Sequence, residues 1–289
     1  MVVGSKNFTE QVVLGELVAQ EIEAVFAQEG KTGETVDRRF YLAGSYLCQQ
    51  ALVSGRIDGY VEYTGTALVA ILKQPLPPVG QRDPAVVFRR VSELYASKYG
   101  VRVGQGLGFE NTFAMVVRGA DAKRLGLKTI SDAVRVIDPT SDVKLSDMGH
   151  PWRLGVGYEF QSRPDGLRGL EATYGLKFAE PPRTMDLGLL YRALAGGQVD
   201  MVAGNSTDGP IRALGFMVLA DDRHYFPPYE AVPLFREDSL RAHPEIQVAL
   251  DRLAGKLDAV EMQAMNDAVD GQHRDVAEVV REFRRGKGL

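Results

Sequence analysis

The sequence is poor in cysteine, tryptophan and histidine, and it has no long apolar run. Its one cysteine, Cys48, closes no internal disulfide and so says little about redox compartment. Cys48 sits in Tyr46–Val53, which reads as a helix, where a small buried thiol is expected rather than a nucleophile. The four histidines, His150, His224, His243 and His273, are scattered without the spacing of a metal site. No apolar stretch approaches the ~18–20 residues of a membrane span. HExxH, CxxC, GxxxxGK[ST] and GxSxG are all missing, so no zinc peptidase, thiol redox, nucleotide-loop or serine-hydrolase signal is present. A basic surplus is missing as well. Lys and Arg total 34 against 38 Asp and Glu, a formal charge of -4, which argues against nucleic acid or an anionic membrane as partner. The short basic run Arg281–Lys287 fits a solvated helix end that complements the helix dipole.

What is present is ordinary globular material. Of 289 residues, 45% are hydrophobic and 25% charged, enough for about two domains with substantial cores. Short apolar strands alternate with amphipathic helices. Val2-Val3-Gly4 leads into a helix expected over Thr9–Ala27, with Thr9 as its N-cap and Val12, Val13, Leu17, Ile22, Val25 and Phe26 on its apolar face. A strand near Val36–Leu42, a helix over Ser45–Val53, a strand over Ile57–Tyr63, a loop through Pro75, Pro77 and Pro78, and a helix over Pro84–Tyr99 follow. The stretch Asp238–Phe283 reads as mostly helical, with breaks near Pro244 and Gly271. This alternation predicts an α/β protein with mainly parallel sheet.

Two segments look like crossings between domains, Val101–Thr112 and Val199–Gly209. They predict an inserted domain over 110–206 and a discontinuous one over 1–109 plus 207–289, an arrangement with two hinge strands that can build a closing cleft. Gly104-Gln105-Gly106-Leu107-Gly108 superficially suggests a phosphate loop, but it lacks the third glycine at the required offset and no long helix clearly follows. Asp221-Asp222 precedes Pro227 in a turn-like stretch and reads as solvated rather than catalytic.

Four segments together carry a resemblance. They are Gly4-Ser5-Lys6-Asn7-Phe8-Thr9-Glu10-Gln11, then Ile57–Leu68 with Glu62-Tyr63-Thr64-Gly65-Thr66, then Glu159–Leu167 with Arg163-Pro164-Asp165, and finally Ser206-Thr207-Asp208-Gly209 through Phe226-Pro227-Pro228-Tyr229. In this joint order the chain resembles, over essentially its whole length, the substrate-binding proteins of bacterial ABC importers for glycine betaine, choline and related quaternary ammonium osmoprotectants. The resemblance implies a two-lobed periplasmic-binding-protein fold of the second type with the ligand between the lobes. It implies no cofactor, and an ABC permease with its ATPase as partner. It also implies an extracytoplasmic location, with membrane contact only through an anchor or the permease. The opening Met1-Val2-Val3 already reads as strand, which fits either a cytoplasmic protein or one whose leader was removed and Met1 supplied; the resemblance decides for the second.

A betaine has two chemically distinct ends. Its trimethylammonium suits aromatic faces, at roughly 0.5–2 kcal/mol per ring, and its carboxylate suits Arg, Lys and hydroxyl donors. By the resemblance, Lys6, Thr66 and Arg163 hold the carboxylate, and Tyr63, Phe113 and Tyr229 line the cage for the cation. Each also has a plainer reading. Lys6 fits a solvated lysine, Tyr63 a core aromatic, Thr66 an N-cap, Arg163 a surface pair with Asp165, and Tyr229 packing on Pro227 and Pro228. Departures from the family pattern mark specificity candidates. Phe113 in Asn111-Thr112-Phe113 keeps a ring but no hydroxyl, Asn205 replaces a cage tyrosine, and Glu110 stands where an asparagine is usual. These predict weaker glycine betaine binding, or preference for choline, carnitine, proline betaine or a ring-bearing betaine such as ergothioneine. Two other function classes remain open: the ligand-sensing domain of a regulator, although no helix-turn-helix precedes the first strand, and an enzyme on the same fold, although no nucleophile–base or metal constellation is evident.

Overall fold

The computed structural model describes residues 1–31, 33–75, 78, 82–137 and 150–289. Pro77, in the expected proline loop, lies outside them. The described residues fall into two compact units, one comprising 1–75, 82–111 and 228–289, the other 78, 112–137 and 150–227.

The first unit is built on a sheet that, among the described residues, has five strands. They are β1 (Val2–Gly4), β2 (Asp37–Arg39), β3 (Gly59–Tyr63), β4 (Val101–Val103) and a late strand Ala231–Arg236 that becomes β10 in chain order; the order is β2-β1-β3-β10-β4. β1 runs parallel to β2 and β3, and β10 runs antiparallel to β3 and β4. Helix Thr9–Gln28 buries Val13, Leu14, Leu17, Ile22, Val25 and Phe26. Thr9 lies inside it rather than capping it; Phe8 holds the cap position, and the Thr9 hydroxyl donates to Asp270. Helices Glu245–Leu253, Ala259–Asp270 and Val276–Lys287 pack on this helix, and its fully buried Glu21 accepts from Arg284 and Arg252. Helices Ser45–Val53 and Pro84–Tyr99 form where their spacing predicts. In the second, Asp83 caps by accepting from the Ala85 N–H at 2.8 Å and Pro84 occupies the first turn, where its missing donor costs nothing.

The second unit repeats the plan. Its strands are β5 (Phe113–Arg118), β6 (Leu154–Val156), β7 (Arg183–Thr184), β8 (Met201–Asn205) and β9 (Phe216–Leu219), ordered β7-β6-β8-β5-β9 among the described residues. β6 is parallel to β7 and β8, while β5 is antiparallel to β8 and β9. One sheet face packs Met115, Leu154, Phe160, Leu170 and Met201; the other packs Val116, Leu190, Leu194 and Val202.

Both sheets are therefore mixed rather than mainly parallel. In each, the antiparallel strand is the first strand after the chain passes from one unit to the other, β5 after Thr112 and β10 after Pro228. Residues 207–227, assigned on sequence to the first domain, belong to the second unit, because β9 pairs with β5 over Phe216–Leu219 and Tyr225 joins that unit's core. The glycine-rich stretch is a packing device. The Leu107 N–H bonds to the Ala231 carbonyl and the Gly255 N–H to the Gly106 carbonyl, and Gly108 (φ 114°) brings the backbone so close that a Cβ would lie 2.4 Å from the Leu257 carbonyl oxygen. Asp221 is likewise structural. It accepts from the Tyr174 hydroxyl and from the N–H groups of Tyr225 (3.0 Å) and Phe226 (2.8 Å).

Candidate functional site

In the first unit, Lys6, Tyr63, Thr66, Asn111 and Tyr229 come from four separate stretches of chain, Tyr63 and Thr66 sharing one. Lys6 follows β1 and is 3% exposed, so it is not a solvated lysine. Its ammonium pairs with the fully buried Glu62 of β3, donates to Ser45 Oγ at 3.3 Å and lies 4.5 Å from the centre of the Tyr63 ring. Strand alternation puts Tyr60 and Glu62 on the same side of β3, and the Tyr60 hydroxyl donates to Glu62 Oε2 at 3.2 Å. Tyr63, at the strand end, donates its hydroxyl to Glu10 Oε1 at 2.5 Å. Burial, and then the Glu10 charge, push that hydroxyl well above the usual tyrosine range, so it stays a donor. The same Glu10 oxygen accepts from Asn111 Nδ2 at 2.8 Å, and Glu10 Oε2 accepts from Asn266 Nδ2 at 3.0 Å.

Thr66 is buried inside a helical turn, Thr64–Thr66, that widens into a π-type turn over Ala67–Ile71; it stands at the head of that wider turn with helical backbone angles and makes no side-chain capping bond. The turn is stitched to the segment before β10, with Thr64 Oγ1 donating to the Pro228 carbonyl at 3.1 Å and the Thr64 N–H to the Glu230 carbonyl at 3.0 Å. Tyr229 is buried and lies against Gly65, where a Cβ would stand 2.7 Å from the tyrosine ring and from the Pro228 oxygen. Gln11, one turn into the first helix, is 1% exposed, and its amide is the polar neighbour of the Tyr63 hydroxyl.

In the second unit, Phe113 opens β5 opposite Asn205 at the end of β8. Its ring stands edge-on to Phe160, 4.9 Å between centroids, with Phe226 at 6.1 Å. The Arg163 guanidinium lies 4.8 Å over the Phe113 ring. Arg163 does pair with Asp165, but in the interior rather than on the surface. It is 4% exposed, donates Nε to Asp165 Oδ1 at 2.9 Å and its terminal nitrogen to Oδ2, and lies 3.4 Å from Glu159 Oε2. Asn205 is turned to Asp208. Its Nδ2 lies 3.2 Å from Asp208 Oδ1 and its backbone N–H donates to Oδ2 at 2.9 Å, where the Tyr191 hydroxyl also donates at 2.7 Å. The Thr112 N–H donates to Ser206 Oγ at 3.1 Å and is held in place by that bond. Glu110, in the first unit, is exposed and bridges by backbone to Glu230.

Sequence reading named these cations and rings as candidates and Asp165 as a partner of Arg163, but gave no role to Glu10, Gln11, Glu62, Phe160 and Phe226, which lie in the motifs that carried the resemblance, or to Asn266, which lies outside them. Among the described residues no helix is long and apolar enough to cross a membrane.

Comparison with known proteins identifies the family. The family model described as the substrate binding domain of ABC-type glycine betaine transport system matches residues 1–286. A glycine-betaine-binding protein of Pseudomonas aeruginosa is 33% identical over 98% of this chain and 86% of its own length. The carnitine transport binding protein OpuCC of Listeria monocytogenes is 29% identical over 97% of this chain and 84% of its own. A crystal structure titled as a glycine betaine/carnitine/choline ABC transporter superposes with a TM-score of 0.79 at 28% identity, covering 100% of this chain and 98% of that one. The fold is the α/β periplasmic-binding-protein fold of the second type, and the relatives are binding proteins rather than enzymes. The chain belongs to the family of substrate-binding domains of ABC-type glycine betaine transport systems.

Proposed function

We propose that this protein works outside the cytoplasm, captures a betaine-type quaternary ammonium compound and delivers it to an ABC permease and its ATPase, with no catalytic step of its own. The observation that carries the ligand class is a repeated pairing of ring and cation. The Lys6 ammonium lies 4.5 Å from the Tyr63 ring centre and the Arg163 guanidinium 4.8 Å from that of Phe113. In each unit, a ring assigned to the ligand's ammonium sits beside the cation assigned to its carboxylate. Both ring faces attract positive charge, which supports their use as cage walls.

The charges around them favour the cationic end of a ligand. Lys6 pairs with Glu62 and lies over the Tyr63 ring, whose hydroxyl donates to Glu10, and Arg163 lies between Asp165 and Glu159. Because Lys6 and Arg163 share their charge with buried acids, we assign the larger part of the affinity to the rings Tyr63, Phe113 and Tyr229. A smaller part goes to carboxylate contacts from Lys6, Arg163 and Thr66. Glycine betaine and carnitine, named for the two relatives, lead the candidates, with choline beside them. Asn205, tied to Asp208, lends no support to a bond with the ring of ergothioneine, which enters as a test ligand.

Calorimetric titration with glycine betaine, choline, carnitine, proline betaine and ergothioneine tests this. At least one quaternary ammonium ligand is expected to bind at micromolar Kd. Phe113→Ala is expected to weaken every ligand that binds by about 2- to 30-fold, the worth of one ring. Arg163→Ala is expected to weaken the carboxylate-bearing ligands more than choline. Absence of heat across the set refutes the ligand class while leaving the family intact.

A further inference from the structure

Glu10 stands in the first turn of helix Thr9–Gln28 and is buried, and the ligand reading above gives it no part. Its carboxylate gathers side chains from three other stretches of the first unit. The Tyr63 hydroxyl, at the end of β3, donates to Oε1 at 2.5 Å, and Asn111 Nδ2 donates to the same oxygen at 2.8 Å. Asn266 Nδ2, from helix Ala259–Asp270, donates to Oε2 at 3.0 Å. Tyr63, Asn111 and Asn266 are buried as well. Burying a carboxylate is costly, and apolar packing of similar volume is often at least as stable, so packing alone gives no reason for an acid here. A carboxylate offers two acceptor oxygens and no donor, and so holds several donors in one arrangement.

Asn111 is the arm that leads from Glu10 to a second ring. It lies in irregular backbone between the Glu110 bridge and β5. Its N–H bonds the Tyr229 carbonyl at 3.1 Å. Thr64 holds the same segment from its other edge, donating Oγ1 to the Pro228 carbonyl and accepting there from the Glu230 N–H, each at 3.1 Å. Tyr229 is thus fixed from two sides, by the turn that follows Tyr63 and by the asparagine that Glu10 holds. Because the Tyr63 hydroxyl and the Asn111 amide share Glu10 Oε1, one atom relates the place of both.

We propose that Glu10 is a positioning residue that sets the separation of the Tyr63 and Tyr229 rings, and through it the size of ammonium head group the site accepts. The inference rests on the reading of those two rings as cage walls. Attraction between a cation and a ring needs the cation within about 6 Å of the ring centre, so walls held at a fixed separation favour three methyl groups over three ethyl groups. Tyr63 is also seated by β3 and lies under the Lys6 ammonium, so Glu10 acts chiefly on the Tyr229 side.

The test separates reach from charge. Glu10→Asp keeps the charge and draws the carboxylate back by one carbon–carbon bond, ~1.5 Å, which takes the three donors out of hydrogen-bond range. Glu10→Gln keeps the reach, with an amide oxygen in the place of Oε1, and loses the charge. Calorimetric titration with glycine betaine and choline, each beside its triethyl analogue, gives a trimethyl-to-triethyl affinity ratio. That ratio is expected to fall about 3- to 10-fold in Glu10→Asp and to stay within about twofold of the parent in Glu10→Gln. Asn266→Ala, which removes the bond to Oε2, should lower it part of the way. A merely structural role would lower both affinities alike and leave the ratio unmoved. Without ligand, the Asn111 backbone amide is expected to exchange its hydrogen about tenfold faster in Glu10→Asp than in the parent or in Glu10→Gln. A parental ratio in Glu10→Asp, a ratio that falls as far in Glu10→Gln, or a parental exchange rate at Asn111 overturns the proposal. A parent that binds none of the four ligands refutes the cage reading instead, and the exchange rates then decide whether Glu10 holds the Tyr229 segment.

Discussion

Replacing Glu62 with glutamine isolates the charge that holds Lys6. Both residues are buried, Lys6 at 3% exposure and Glu62 at 0%, so solvent does little to screen the pair. Glutamine has almost the same shape. Its amide oxygen can still accept from Lys6 Nζ and from the Tyr63 N–H, which meets Glu62 Oε1 at 2.8 Å. Its NH2 can donate to the Tyr60 hydroxyl oxygen, now 3.2 Å from Glu62 Oε2. What is lost is the negative charge alone, leaving an ammonium in the interior with Ser45 Oγ at 3.3 Å and the Tyr63 ring as its other neighbours. Removing one partner of a buried pair costs about 3–5 kcal/mol, and the retained hydrogen bonds set the expectation at about 3 kcal/mol. At about 2–4 °C per kcal/mol for a body of 150–250 residues, Tm should fall by about 6–12 °C.

The same substitution has a functional arm. An ammonium no longer shared with Glu62 attracts a ligand carboxylate more strongly, so the affinity of glycine betaine relative to choline should rise about tenfold, the scale of one charge-assisted hydrogen bond. Scanning calorimetry and paired titrations read both arms. The double variant Lys6→Met/Glu62→Gln should recover much of the lost stability, because no buried charge is then stranded. A Tm within about 2 °C of the parent would refute the reasoning, since a buried ammonium without its counter-charge must cost more than that. An unchanged betaine-to-choline ratio would remove Lys6 from the carboxylate contacts.

Three further outcomes follow from other contacts. Partial burial pushes the Glu230 carboxyl up, and the neighbouring Glu110 charge pushes it further. The folded state therefore holds this proton more tightly than the unfolded one. The stability it contributes is present below the ordinary value of 4.5 and lost as pH rises through the raised one. Glu230→Gln should melt higher than the parent at pH 7 and level with it at pH 4; parallel melting curves across that range would contradict it. Tyr63→Phe removes the 2.5 Å bond to Glu10 and keeps the ring, so urea unfolding should show a loss of about 1–3 kcal/mol while ligand affinity stays within about threefold; a large affinity loss would mean that the hydroxyl, not the ring, meets the ligand. Gly65→Ala forces a methyl to within 2.7 Å of the Tyr229 ring and the Pro228 oxygen. It should cost about 1–3 kcal/mol and weaken binding, whereas Gly33→Ala, with nothing within 4 Å, should do neither.

Local order was legible where a short stretch of chain carries its own reasons. The periodicity and opening proline of Pro84–Tyr99 mark that helix, and Ser45–Val53 is as clear. The short strand β9 was not. Phe216–Leu219 carries no sign of which sheet it joins, and only its pairing with β5 moves residues 207–227 into the second unit. The same holds for the glycine-rich stretch, where Gly108 answers to the Leu257 and Gly255 backbone, Gly106 to Glu230 and Gly104 to Pro233.

The sequence by itself determined the family, the alternation of strand and helix, and the rings and cations of the candidate site. Residue type and order suffice for these, because hydrophobic periodicity and motif spacing act within tens of residues. Tertiary structure decided how those cations are spent. Lys6 meets Glu62 across 56 residues and Glu10 meets Asn266 across 256, while Arg163 and Asp165, two apart, become a buried pair only because the fold closes over them. Burial turns each of these charges from a freely solvated group into one whose strength depends on its partner, and burial is a property of the packed chain.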